Sequence, residues 1–192
     1  GAMTVAEVSA VGLPAVYGLQ SPSLVYDTGN EVPADALFLD CRDDDGESVN
    51  VELFPRGDGT THITAFTDQP PLPLDPAAVT PDPDAIDRLQ AIAARLSPAF
   101  RPERIVARQS CFRPVTEDGL PLIGRVPGIA GAYLATGHSV WGILNAPATG
   151  EALAELIVDG SARSIDLAPF DPGRMKPLDP HRLRQVPPPI SH

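Results

Sequence analysis

The sequence predicts an α+β fold, an antiparallel β-sheet with two main helices. Three observations carry this. The first two-thirds of the chain alternates apolar and polar residues in short runs separated by Asp-Gly turns, the pattern of antiparallel strands. Two later stretches carry helical periodicity and recognisable ends. No run approaches the length needed to cross a bilayer.

In chain order, Val16–Asp27 and Ala36–Cys41 are apolar runs that read as strands. Asp43-Asp44-Asp45-Gly46 is an acidic turn into Val49–Pro55, which alternates apolar and polar residues. Arg56-Gly57-Asp58-Gly59 then turns the chain into Thr60–Phe66, predicting a hairpin. Three linked strands with one apolar face need a cover. Asp82–Leu96 supplies it: Asp82 is an N-cap, Pro83 takes the first helical position, and Ile86, Leu89, Ile92, Ala93 and Leu96 share one face. Ser97-Pro98 ends the helix. Ile105–Arg113, Leu122–Gly124 and a buried Ala132–Ala135 are read as further strands. The second helix begins at Ser139 or Ile143 and ends at Val158 before Asp159-Gly160, with Leu153, Leu156 and Ile157 as its apolar stripe. Pro147 should bend or restart its first turn.

Length and composition predict one domain over residues 16–168. Residues 1–15 read as a lead-in whose Gly-Ala-Met resembles the remnant of a cleaved tag, and 169–192 as a proline-rich, draped or disordered tail. The 23 prolines cluster in Pro70–Pro83 and Pro169–Pro189. The formal net charge of −11 argues against nucleic acid or an anionic membrane as partner. Cys41 and Cys111 form neither a metal spacing nor a disulfide framework, so reduced thiols in the cytoplasm are expected. His62, His138, His181 and His192 are too scattered for a ligand pair, so no metal is expected.

The residues with chemical interest lie in Cys111–Pro147. Thr136-Gly137-His138-Ser139 joins a strand to a helix, and such a junction leaves backbone N–H groups free at the helix start, where they attract an anion or a carbonyl oxygen. Taken alone it is also an ordinary tight connection. Arg113 ends an otherwise apolar strand, either as a surface residue or as a cation for a carboxylate.

Two blocks then change the weight of these residues. They are Arg-Pro-x-Thr-x-Asp-Gly-x-Pro-x-Ile-Gly at Arg113–Gly124 and Gly-x-Tyr-x-Ala-x-Gly-His-x-x-x-Gly-Ile-x-x-Ala-Pro-x-Thr-Gly at Gly131–Gly150. Together they resemble the C-terminal signature of FAD-dependent oxidases of the D-amino-acid oxidase and glycine oxidase family. The hairpin Phe54-Pro55-Arg56 to Asp58-Gly59-Thr60 is similar to that family's substrate-domain sheet, and the likeness covers roughly residues 16–173. The resemblance implies FAD as cofactor, with Gly137, His138, Ser139, Gly142 and Ile143 against the flavin. It implies backbone donors at the flavin N1–C2=O edge, and Arg113 as the catalytic-site group that holds a substrate carboxylate. The implied reaction is hydride transfer from a C–H to the flavin, with dioxygen as reoxidant.

Related glycine oxidases carry a polar, often basic pair where this chain has Val140 and Trp141. These two are therefore expected to line the substrate site and to suit a flatter or more apolar molecule; for Trp141 a place in the core is the alternative. No Gly-x-Gly-x-x-Gly turn occurs in the sequence, so the Rossmann unit that would hold the dinucleotide is expected to be missing. The chain then reads as the C-terminal half of such an enzyme, not flavin-competent alone. Its expected partners are a small-molecule substrate and either a separate FAD-binding chain or a second copy of itself. The alternatives are a flavin-free domain that binds or transforms a small molecule in the relict pocket, and a purely structural module.

Overall fold

The computed structural model describes residues 13–178, apart from Asn30 and Asp44. The lead-in before residue 13 and the segment from 179 onward lie outside the described residues. The chain divides into two compact units, Leu19–Phe112 and Arg113–His192 together with Gly1–Gly18.

The first unit is built on a five-stranded sheet of order β2-β3-β4-β1-β5. Its strands are β1 (Tyr17–Asp27), β2 (Leu37–Arg42), β3 (Ser48–Pro55), β4 (Thr60–Thr64) and β5 (Ile105–Val115), apart from Tyr17–Gly18 and Arg113–Val115, which count with the other unit. The pairs β2/β3, β3/β4 and β4/β1 are antiparallel. Helix α1 (Pro83–Leu96) is the cover that the sheet requires. The β3–β4 hairpin forms as its residues dictate: Gly59 has φ +84°, and the Asp58 carboxylate accepts from Thr60 N at 2.9 Å and from Thr60 Oγ1 at 2.7 Å.

Alternation sorts β3 into a buried row of Val49, Val51 and Leu53 and an outer row of Asn50, Glu52 and Phe54. The buried row meets Leu24, Tyr26 and Ile63 from β1 and β4, and Ile86, Leu89, Ile92 and Ala93 from α1. The Asp82 side chain caps α1 by accepting from Asp84 N at 3.2 Å. The acidic turn before β3 is fastened to the same helix: Asp43 accepts from Glu47 N at 2.9 Å and from Arg88 Nε at 2.9 Å. The Arg88 guanidinium also lies 4.2 Å over the Phe66 ring.

Among the described residues two buried side-chain atoms lack a hydrogen-bond partner, Tyr26 Oη and Gln69 Nε2. The Tyr26 hydroxyl, on a side chain with no exposed surface, has no hydrogen bond among the described residues. Burial pushes its pKa up from 10.0 to about 12, the nearby Arg108 opposing only in part. Because the folded-state value is the higher one, stability is unaffected below about pH 10 and falls as pH rises from there through about 12. Tyr26→Phe should therefore be neutral or stabilising by up to about 1 kcal/mol near neutrality. It should also flatten the alkaline loss, which urea unfolding at pH 8 and pH 11 would show.

The second unit contains a two-stranded antiparallel sheet, β6 (Leu122–Arg125) with β7 (Tyr133–Thr136), and helix α2 (Gly142–Val158) packed against β6. Arg125 of β6 closes the end of α2. It donates to Gly160 O at 3.1 Å and Tyr133 Oη at 2.8 Å. Glu155 collects the following loop through Arg163 N at 2.6 Å and Ser164 N at 2.9 Å.

Two expectations need correction. The strand before the turn is not buried, since Tyr133, Leu134 and Thr136 are half-buried and Ala135 is exposed. Nor does α2 bury its stripe: only Ala152 is fully enclosed, and Ile157 is 50% exposed. The apolar content was readable, but it does not reveal whether a neighbour covers it. The helix runs on through Pro147, and the irregularity falls earlier, in a 3-10 turn at Ser139–Trp141. The start of the proline-rich segment is held in place: 3-10 turns at Ala168–Phe170 and Pro172–Arg174 follow one another, and Pro172 is completely buried.

Candidate functional site

The junction between β7 and α2 has an unusual backbone. Successive φ values at Gly137, His138 and Ser139 are +81°, −75° and +50°. Alternation of left- and right-handed residues turns successive N–H groups toward one side and makes an anion-binding concavity. Ser139 holds a left-handed conformation that a non-glycine residue rarely adopts, at a cost of order 1–2 kcal/mol. Neither the 3-10 turn nor α2 behind it has a side-chain cap on its first N–H groups. N–H groups without a side-chain cap and the positive end of a 17-residue helix thus meet at one place.

Glycine at 137 is required twice over. Beyond its positive φ, a Cβ there would stand 3.0 Å from Thr116 Cγ2 and 3.5 Å from Pro121 Cα. Gly142 is different. It has φ −58°, and a Cβ would make only ordinary 3.7 Å contact with His138 Cβ. The protein's own packing leaves room there, so smallness at 142 matters only to something approaching from outside.

His138 Nε2 lies 3.1 Å from Thr149 Oγ1 of α2. Burial lowers the imidazole pKa, favouring the neutral ring near neutral pH. The ring ties the turn to the helix. Val140 is 48% and Trp141 59% exposed, and Ile143 and Leu144 stand out at 95% and 71%. Trp141 is therefore not a core residue, which removes that alternative. Arg113 is half-buried near the end of β5, in the same unit as the turn, and is already engaged in a contact of its own.

These residues suit a flat ring bearing a negatively charged edge: the backbone alternates in handedness over Gly137–Ser139, no side chain crowds Gly142, and apolar side chains flank the approach. Sequence reasoning missed what lies beneath. Thr116, Asp118 and Arg174 form the support under Gly137, and their pairing across 56 positions leaves no local signal. A separate hollow in the first unit, beside Phe66, Asp82, Asp84 and Arg88, gathers none of the expected residues. Asp82 is consumed by capping and Arg88 by Asp43.

Residues 5–156 match the family model described as FAD dependent oxidoreductase. A putative oxidoreductase of Saccharomyces cerevisiae is 32% identical over 148 residues, 71% of this chain and 27% of its own length. Glycine oxidase of Pseudomonas aeruginosa is 41% identical over 97 residues, 50% of this chain and 26% of its own. The crystal structure of glycine oxidase from Geobacillus kaustophilus superposes with a TM-score of 0.69 at 29% identity, covering 88% of this chain and 43% of that one. The chain thus spans between about a quarter and under half of the length of these relatives.

Proposed function

The chain belongs to the FAD dependent oxidoreductase family, and from that premise we propose that it forms the substrate-side sheet and flavin-edge turn of an amine or amino-acid oxidase. A dinucleotide-binding portion from outside residues 1–192 completes it, and the chain alone holds flavin poorly. The observation that carries this reading is the Gly137–Ser139 turn, with its alternating backbone and the absence of a side-chain cap at the start of the helix behind it. FAD, when bound, supplies the acceptor for a hydride from a substrate C–H and passes the electrons to dioxygen.

The chain's own residues then have distinct tasks. The N–H groups of the turn, and those opening α2, hold negative charge at the ring edge in the manner of an oxyanion hole. His138 stays neutral and fixes the turn through Thr149 rather than taking a proton. Arg113 exchanges its present contact for a substrate carboxylate, which a guanidinium binds in two-point fashion and so orients. Val140 and Trp141 present an exposed apolar wall, and this favours a flat or apolar substrate.

The test is a hybrid in which residues 16–178 replace the matching part of the Geobacillus kaustophilus glycine oxidase. The isolated chain should stay colourless when mixed with FAD, and the hybrid should purify yellow. In the hybrid, Arg113→Ala should raise KM for carboxylate-bearing substrates roughly tenfold to a hundredfold at unchanged flavin content, as for loss of a charge-assisted contact. A folded but colourless hybrid would overturn the proposal. A small molecule retained by the colourless chain, dependent on Arg113 and Trp141, would favour the flavin-free alternative instead.

A further inference from the structure

We propose that Arg174 is a positioning residue for the turn at Gly137–Ser139, acting through a strap formed by residues 168–178. Its functional meaning rests on the reading of that turn as flavin-facing. Each link of the connection lies within the second unit.

Arg174 spends most of its guanidinium on the 116–121 turn, with one further bond from Nη1 to Asp171 O at 3.3 Å. Nε donates to Asp118 Oδ2 at 2.8 Å and Nη2 to Asp118 Oδ1 at 2.9 Å, a two-point pair. Nη2 also donates to Leu120 O at 2.8 Å, and Nη1 to Pro121 O at 3.2 Å. The arginine side chain is only 16% exposed, so solvent screens these bonds weakly. The pairing holds the Asp118 carboxyl at about 2, below the usual carboxylate range, with hydrogen bonds from Arg174 as the largest cause. Asp118 is thus charged at any physiological pH.

The 116–121 turn clamped in this way is what Gly137 rests on. Thr116 is wholly buried, and its Oγ1 lies 2.7 Å from Leu120 O and 3.0 Å from Asp118 Oδ1. Its methyl group faces the other way, into the space a side chain at 137 would need: the atoms nearest a Cβ there are Thr116 Cγ2, Pro121 Cα and Leu122 N. Polar bonds hold one side of Thr116 and its methyl supports the turn with the other.

The strap has its own seat. Pro172 is completely buried, with its Cδ 3.0 Å from the point a Cβ on Gly124 of β6 would occupy. Asp171 accepts from Gly173 N at 2.6 Å, and Leu178 N donates to Leu13 O at 2.7 Å farther on. A seated proline ahead of Arg174 and a tied backbone behind it hold the guanidinium at Asp118. A strained turn such as the one at Ser139 persists only where its surroundings over-determine it. The strap supplies that determination from below.

The experiment needs no flavin. Amide exchange at Gly137–Ser139 and the NMR titration of the His138 imidazole are followed in the 192-residue chain and in Arg174→Gln, Arg174→Lys, Asp118→Asn and Thr116→Ser. Arg174→Gln and Asp118→Asn should speed exchange at the three amides by about tenfold or more, as expected for loss of a charge-assisted bond. They should also move the His138 pKa up toward its ordinary value as the ring loosens. Arg174→Lys should restore part of both effects. Thr116→Ser removes only the supporting methyl and should loosen the same amides while Asp118 and Arg174 stay paired; it serves as the test should the charge variants fail to fold. Unchanged exchange and an unchanged His138 titration in Arg174→Gln, or in Thr116→Ser if that is the variant that folds, would overturn the inference. In the yellow hybrid, a loosened turn with undiminished flavin affinity would count against the flavin-facing reading and leave the positioning role standing.

Discussion

Gly137→Ala destabilises the chain by about 3 kcal/mol and strips flavin from the hybrid oxidase. The figure combines two costs. Holding an L-residue at φ +81° costs about 1–2 kcal/mol, and forcing a methyl group against Thr116 Cγ2 at 3.0 Å adds an overpacking cost of about 1–3 kcal/mol. Gly128→Ala is the matched control. Its φ is +76° but nothing stands within 4 Å of its Cβ, so it should show the conformational cost alone. Gly142→Ala separates folding from flavin contact. With φ −58° and room inside, it should be neutral or stabilising by up to about 1 kcal/mol, yet on the proposed flavin-facing reading it places a methyl group against the ring. Urea unfolding and flavin content of the purified hybrid check all three. Equal loss in Gly137→Ala and Gly128→Ala would show that Thr116 does not crowd the turn.

Leu89→Ala costs the first unit about 3 kcal/mol, within the range of about 2–5 kcal/mol for emptying a buried leucine site. Leu89 is fully buried in α1, and its cluster includes Leu24, Val51, Leu53 and Ile63 of the sheet. These strands are fixed by backbone ladders on either side, so they cannot collapse into the vacated volume, and the cavity remains. Domains of this size are held by only about 5–15 kcal/mol, so such a loss lowers the urea midpoint markedly. Leu74→Ala, at a fully exposed leucine, should leave the midpoint unchanged. A shift under about 1 kcal/mol for Leu89→Ala would mean that the helix does not cover the sheet as described.

The parts legible in the sequence are those whose cause is local. Asp58-Gly59 fixes the β3–β4 hairpin within four residues, and Asp82-Pro83 fixes the start of α1, so both were readable from the letters. The glycine at 137 was readable as a turn, because strand, glycine and helix occur in sequence. The handedness of Ser139 was not, since serine carries no preference for a left-handed backbone. The exposure of β7 and α2 is what a missing dinucleotide-binding part leads one to expect, since Ala132–Ala135 and the helix from Ile143 then lose their neighbours; the apolar stripe by itself announces only a need for cover. The Arg174–Asp118 clamp was invisible for a further reason: its two halves are 56 positions apart, and each alone looks like a surface charge.

The bare flank of α2 has an implication for how much of this protein a cell can keep. Ile143, Leu144 and Val158 remain largely in water, and each such aliphatic side chain forgoes about 1.5–3 kcal/mol that enclosure would return. A component that covered that flank would raise the folded population by mass action. Molecules without such cover display the greasy surface that chaperones and proteases recognise. On the proposed reading, abundance should then track the supply of the dinucleotide-binding part, and surplus chain should turn over fastest.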